Sequence, residues 1–249
     1  MAGPGRADTA LARFCRALDP DRRAALLLPA DDPRRAMVQN HWAVVPATIA
    51  SLTADQQELA LGLVRQVCTG DGFARLTRQR DDDAGGWKHD HLAVFGTPDG
   101  PGPFEWVLSG RHLTLRGSAD GLVPPGPLFW GHAVDGPSNL ARGQFEAAAA
   151  LFGSLGADGR RGLAEGLDLG ALAGEPLRAA RHLIASAAGP FRGFEAPADA
   201  ADLAGCRWQG YWIDDAPVDA PPPAWRLTGP GFAWSFHGRP HVHCWFETT

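Results

Sequence analysis

Two stretches of the chain, residues 87–131 and 225–246, consist of short apolar runs cut apart by glycine and proline, and this limits both to short strands. In the first stretch the runs fall at 92–95, 104–108, 112–115 and 128–130. In the second they fall at 225–227, 232–236 and 241–246. Thr97-Pro98-Asp99-Gly100, Ala119-Asp120-Gly121, Gly229-Pro230-Gly231 and Gly238-Arg239-Pro240 supply the turns, since glycine takes positive φ without strain and proline pre-sets its own. Turns this short join antiparallel strands, so 225–246 reads as a three-stranded meander. Strands close in sequence usually pair, which merges both clusters into one sheet.

Helical texture surrounds these clusters. Residues 9–28 read as a helix broken at Asp19-Pro20, and Asp31-Asp32-Pro33 starts a further turn or helix. Thr53-Ala54-Asp55-Gln56 is a capping box, in which Thr53 bonds the third helical N–H and Gln56 reaches back. Leu59, Leu63 and Val67 follow at helical spacing, with an end expected at Gly70. Arg80-Asp81-Asp82-Asp83 reads as a solvated turn. Phe145, Ala148, Leu151, Phe152 and Leu155 form one apolar stripe, and helix is expected again over 160–172 and 176–186. Residues 217–223 are a proline-rich loop, and Tyr211 reads as a core aromatic. The expected architecture is α+β in one domain over 1–249. An antiparallel sheet formed by the central (87–131) and C-terminal (207–247) strands is flanked by N-terminal (1–80) and middle (142–190) helical blocks.

Composition narrows the function classes. At 249 residues, 45% hydrophobic and 20% charged, the chain can bury a sizeable core. A net charge of -5 with scattered basic residues gives no footprint for nucleic acid. No apolar run is long enough to span a bilayer, and the charged N-terminus is unlike a signal peptide, so no membrane partner and a cytoplasmic location are expected. Cys15, Cys68, Cys206 and Cys244 are too dispersed for a disulfide framework or a thiolate zinc knuckle. There is no Walker loop, dinucleotide fingerprint, nucleophile elbow or His-Glu-x-x-His.

The histidines carry the chemistry. His241-Val242-His243 lies in a strand pattern, where period two turns both imidazoles to one face and Cys244 to the other. His112 sits in a third strand-like segment, Gly110-Arg111-His112-Leu113. His89-Asp90-His91 repeats the spacing in a more polar setting, which makes His91 a further candidate ligand. Three neutral imidazoles suit copper, iron or zinc and leave a position open, whereas the plainer alternative is that these are hydrogen-bonded or exposed strand histidines. Glu105 is a candidate general base or a carboxylate that orients a ligating imidazole, against its reading as a surface carboxylate. Arg111 joins Glu105 as a candidate catalytic residue, although on the strand face opposite His112 it is placed to meet solvent or a carboxylate elsewhere rather than the metal, and Trp106, Trp130 and Trp245 are candidates for an apolar pocket wall.

Phe95-Gly96-Thr97-Pro98, Trp106, Gly110-Arg111-His112-Leu113-Thr114-Leu115, Pro127-Leu128-Phe129-Trp130-Gly131 and the late His241-Val242-His243, in that order, resemble the uncharacterised bacterial DUF3500 family. The resemblance runs over 42–163 and again over 232–245. It implies a shared set of histidines rather than an established reaction. Arg111 stands where the family pattern has the first of two paired histidines, and His132 could replace it.

The leading expectation is a metal-dependent enzyme with a mononuclear site of His112, His241 and His243, favoured as an oxidoreductase or oxygenase on a small organic substrate with copper or iron. A zinc-dependent hydrolase or lyase is the alternative among enzymes. A non-catalytic binding module with structural histidines is the alternative outside them.

Overall fold

A computed structural model describes residues 8–100, 102–119, 121, 128–133, 137–187, 189–192, 203–213, 216–217, 219–238 and 241–248. Among the described residues the strands are mostly antiparallel, come from the central and C-terminal stretches as expected, and are accompanied by helices, so the fold is α+β. The chain gathers into two compact units, Met1–Trp130 with Pro190–Gly193, and Gly131–Gly189 with Phe194–Thr249.

In the first unit, α1 (Ala10–Ala17) is capped by the Thr9 hydroxyl, which accepts from the Ala12 N–H at 3.3 Å. The break at Asp19-Pro20 is a fresh start: Asp19 caps α2 (Pro20–Leu26) and Pro20 occupies the first turn, where no N–H is needed. The two-residue strand β1 (Leu27–Leu28) follows. α3 (Ala54–Val67) forms with both halves of its capping box in place and buries Ala60, Leu63, Val64 and Val67. α4 (Gly72–Ala84) ends on Gly85 at φ +70°. The expected solvated turn at 80–83 is therefore the last turn of a helix, with Leu76 and Arg80 on its buried face.

β2 (His91–Phe95), β3 (Glu105–Gly110), β4 (Leu113–Ser118) and β5 (Leu128–His132) complete this unit's part of the sheet in the order β1-β2-β3-β4-β5. Nearly every residue of β2 to β5 is buried. Strands covered on both faces read as unbroken apolar runs, which is how they looked in the sequence. Gly117 on β4 makes room for Trp106 on β3: a Cβ there would stand 2.7 Å from the indole. Asp120 and Pro127, named in the turn and segment motifs above, lie outside the described residues, as do Arg239 and Pro240.

The second unit begins with α5 (Arg142–Ser154) and α6 (Ala157–Gly162), then β6 (Leu167–Asp168), α7 (Gly174–Ser186), β7 (Arg207–Tyr211), β8 (Ala224–Gly229), β9 (Phe232–His237) and β10 (Val242–Thr248). Its strands lie in the order β10-β9-β8-β7-β6, each antiparallel to the next. α5 packs against α7. The stripe on α5 differs from expectation at one position. Ala148, Leu151 and Phe152 are buried, but Phe145 is 41% exposed and stacks on Phe236, while Gln144 turns inward. Residues 160–172 do not continue as helix, because Gly166 at φ +97° redirects the chain into β6. Trp208, Trp225 and Trp234 form the core of the meander, with rings 6.5 and 4.6 Å apart in edge-on contacts. Tyr211 is exposed rather than core and donates its hydroxyl to Gln209 Oε1. Among the described residues no helix is long and apolar enough to cross a membrane.

Candidate metal centre

His112 is not a strand residue. It occupies, with Arg111, the two-residue loop between β3 and β4, where Gly110 pairs with Leu113. Its φ is +51°, and no other non-glycine among the described residues has a positive φ. A left-handed L-residue costs roughly 1–2 kcal/mol, and such strain persists only where surrounding contacts fix it. Those contacts are present. The His112 N–H donates to Asn40 O at 2.9 Å, and Arg111 forms a bridge with His41. Arg80, wholly buried, donates to the Arg111 carbonyl and binds both oxygens of the equally buried Asp90. Burial pushes the Asp90 carboxyl up to about 6, against the pull of the Arg80 charge. The loop is thus braced by a compensated ion pair.

The His112 ring is buried and its Nδ1 lies 2.7 Å from Asp83 Oδ2, whose side chain is fully enclosed at the end of α4. A carboxylate accepts only, so Nδ1 carries a proton, and in the neutral ring the Nε2 lone pair is the one left for a ligand. That is the tautomer a metal ligand or a base requires, and a carboxylate behind a ligating imidazole raises its basicity. The Arg111 guanidinium stands 3.7 Å from the other oxygen of Asp83.

In the second unit, β10 alternates as its sequence demands. Val242, Cys244 and Phe246 are buried, while His241, His243, Trp245 and Glu247 are partly exposed. Cys244 faces away from the histidines. Its thiol donates to Gln144 Oε1, and complete burial holds it protonated, far above its usual range. The His241 and His243 rings have centroids 4.7 Å apart, and Trp245 meets His243 edge-on at 5.6 Å. His237, paired across from His243 on β9, brings a third imidazole 6.2 Å from it. Its Nδ1 is buried with no hydrogen-bond partner among the described residues. The sequence reading missed His237, although alternation along 232–237 sets it on the face opposite Trp234 and Phe236.

The family model for proteins of unknown function designated DUF3500 matches residues 5–155, more than half of the chain. The chain belongs to the DUF3500 family. No curated protein and no solved structure matches it. The DUF3500 match takes in Asp83, Arg111 and His112 and stops short of His241 and His243.

Other candidates of this DUF3500 chain lie elsewhere. Glu105 sits at the far end of β3 from the His112 loop and accepts from Arg35 at 3.0 Å. The carboxylate that orients His112 is Asp83. His89 belongs to a 3-10 turn, Trp87–His89, rather than to a strand, and His91 Nδ1 lies 3.2 Å from Ala47 O. His132 is buried with Nε2 3.1 Å from Ser138 Oγ. Trp106 and Trp130 are wholly buried core, leaving Trp245 as the indole beside a candidate ligand. All four cysteines are free and buried.

Proposed function

We propose that this DUF3500 protein is a metal-dependent enzyme whose one transition-metal ion is held by His112, His241 and His243. The observation that supports the reading is that the His241 and His243 rings stand together at the start of β10 with centroids 4.7 Å apart, a pair of imidazoles placed to share one ion. The Asp83–His112 pair adds the orienting carboxylate that ligating imidazoles commonly have.

Three neutral ligands leave the charge of the ion uncompensated and one position open for a small-molecule substrate or for water or oxygen. With copper or iron bound, the all-imidazole set favours oxidative chemistry on a small organic substrate. The Asp83–His112 pair equally suits zinc, and this supports a hydrolase or lyase as the second reading, with zinc acidifying a bound water. Four free thiols fit a reducing, cytoplasmic setting for either.

The test is titration of chelator-treated protein with copper(II), iron(II) and zinc(II), beside His112→Ala, His241→Ala and His243→Ala variants. The reading expects one equivalent of one metal, and each single variant to lose at least tenfold in affinity. Histidines with only structural roles would leave no stoichiometric uptake, and variants that melt lower without changing metal binding would overturn the assignment.

A further inference from the structure

Within the first unit a cavity of about 450 Å³ opens beside the β3–β4 loop, lined among others by His41, Trp42, Arg80, His89, His91 and Arg111. Its size is in the range that takes a small organic ligand. No carboxylate is among the lining residues. The Arg80 charge is matched by Asp90, but that of Arg111 is not held in the same way: its side chain is 48% exposed and Asp83, at 3.7 Å, is beyond hydrogen-bond reach. The guanidinium therefore offers its planar fork of donors to an incoming anion. Around it, imidazoles of His41, His89 and His91 supply further polar atoms. Trp42 supplies a flat apolar face whose orientation is fixed, because Nε1 donates to Thr114 Oγ1 at 2.8 Å.

We propose that this cavity binds the carboxylate of a small aromatic acid, with Arg111 as the anchor and Trp42 as the stacking surface. The anchor is preorganised. Its carbonyl is held by Arg80, its backbone is bridged to His41, and the next residue is bonded to Asn40. A ligand there orders little besides the Arg111 side chain itself, which limits the entropy lost on binding. Phosphate matches the charge but has no planar face for the indole. The assignment stands on the first unit alone and does not depend on a metal being bound.

Calorimetric titration of the full chain with benzoate tests it, with benzamide as the neutral isostere and acetate and inorganic phosphate as the other probes. Saturable one-to-one binding of benzoate is expected, with benzamide and acetate each at least about tenfold weaker. Arg111→Gln lowers benzoate affinity by about tenfold or more at unchanged melting temperature, and Arg111→Lys, which keeps the charge but not the fork, falls between. The proposal is overturned by absent saturation, by benzamide or acetate binding as tightly as benzoate, by phosphate binding more tightly, or by an Arg111→Gln protein that binds like the parent.

Discussion

Replacing Asp83 separates the orienting role of its carboxylate from simple burial. In the parent, Oδ2 accepts the Nδ1–H of His112 at 2.7 Å, and both side chains are almost wholly enclosed. Asp83→Asn keeps an oxygen in place but removes the negative charge that makes Nε2 a stronger donor to a metal. Asp83→Ala removes both and leaves a buried N–H unpaired. Losing such an outer partner typically costs 10–100-fold in metal affinity. We expect about 10-fold for Asn and about 100-fold for Ala. An unpaired buried donor costs roughly 1–3 kcal/mol, so only the Ala protein should also lose stability on that scale. Competition against a chromophoric chelator gives the affinities, and urea denaturation of the same preparations gives the stabilities. If both variants hold metal as tightly as the parent while His112→Ala does not, the carboxylate plays no part in ligation and the reasoning fails.

Arg80→Met strands the Asp90 charge in the core and frees the Arg111 carbonyl, so urea denaturation should show a loss of about 3–5 kcal/mol, most of it regained in Arg80→Met/Asp90→Leu. A double variant as unstable as the single one would contradict this. Asp90 titrates near 6 in the fold against an ordinary 3.8, so the native state holds a proton that the unfolded chain has released. Its contribution is present below about 3.8 and is lost as pH rises through about 6. The stability of the parent relative to Asp90→Asn, whose side chain cannot ionise, should thus fall as pH rises from about 4 to 6, and a rise over that range would refute it. Thr53→Ala should cost about 1 kcal/mol by removing the hydroxyl half of the α3 capping box, while a Gln56→Ala change loses the reciprocal half and the bond to the Ala17 carbonyl. No loss in thermal unfolding of either would show that the box carries no stability.

What was legible follows from which signals are local. Asp19 with Pro20 and Thr53 with Gln56 bond backbone groups within one turn, so their helices begin where the sequence places them. Alternation over 242–246 is local too, and it separates His243 from Cys244. Asp83 was not legible. Leu76, Arg80 and Asp83 share a helix face, but two of the three are charged, and a search for apolar periodicity takes such a run for solvent-exposed turn. Only long-range partners, Asp90 ten residues on and His112 twenty-nine residues on, make that face buried. The turn at His112 was hidden for a related reason. Gly110, Arg111 and His112 read as one strand segment, but Gly110 is the last residue of β3, and the positive φ falls on a histidine whose loop is held by Asn40 at His112 and by His41 and Arg80 at Arg111. His237 needed the register of β9 against β10, which places it opposite His243.

Elemental analysis of tag-free protein purified without chelating resin, beside a His241→Ala/His243→Ala protein prepared the same way, tests the central claim most directly. The account predicts close to one equivalent of copper, iron or zinc in the parent and loss of most of it in the variant, with copper or iron supporting oxidation and zinc supporting hydrolysis. A parent that carries no metal and takes up none of the three on reconstitution, or a variant that keeps a full equivalent, would contradict it.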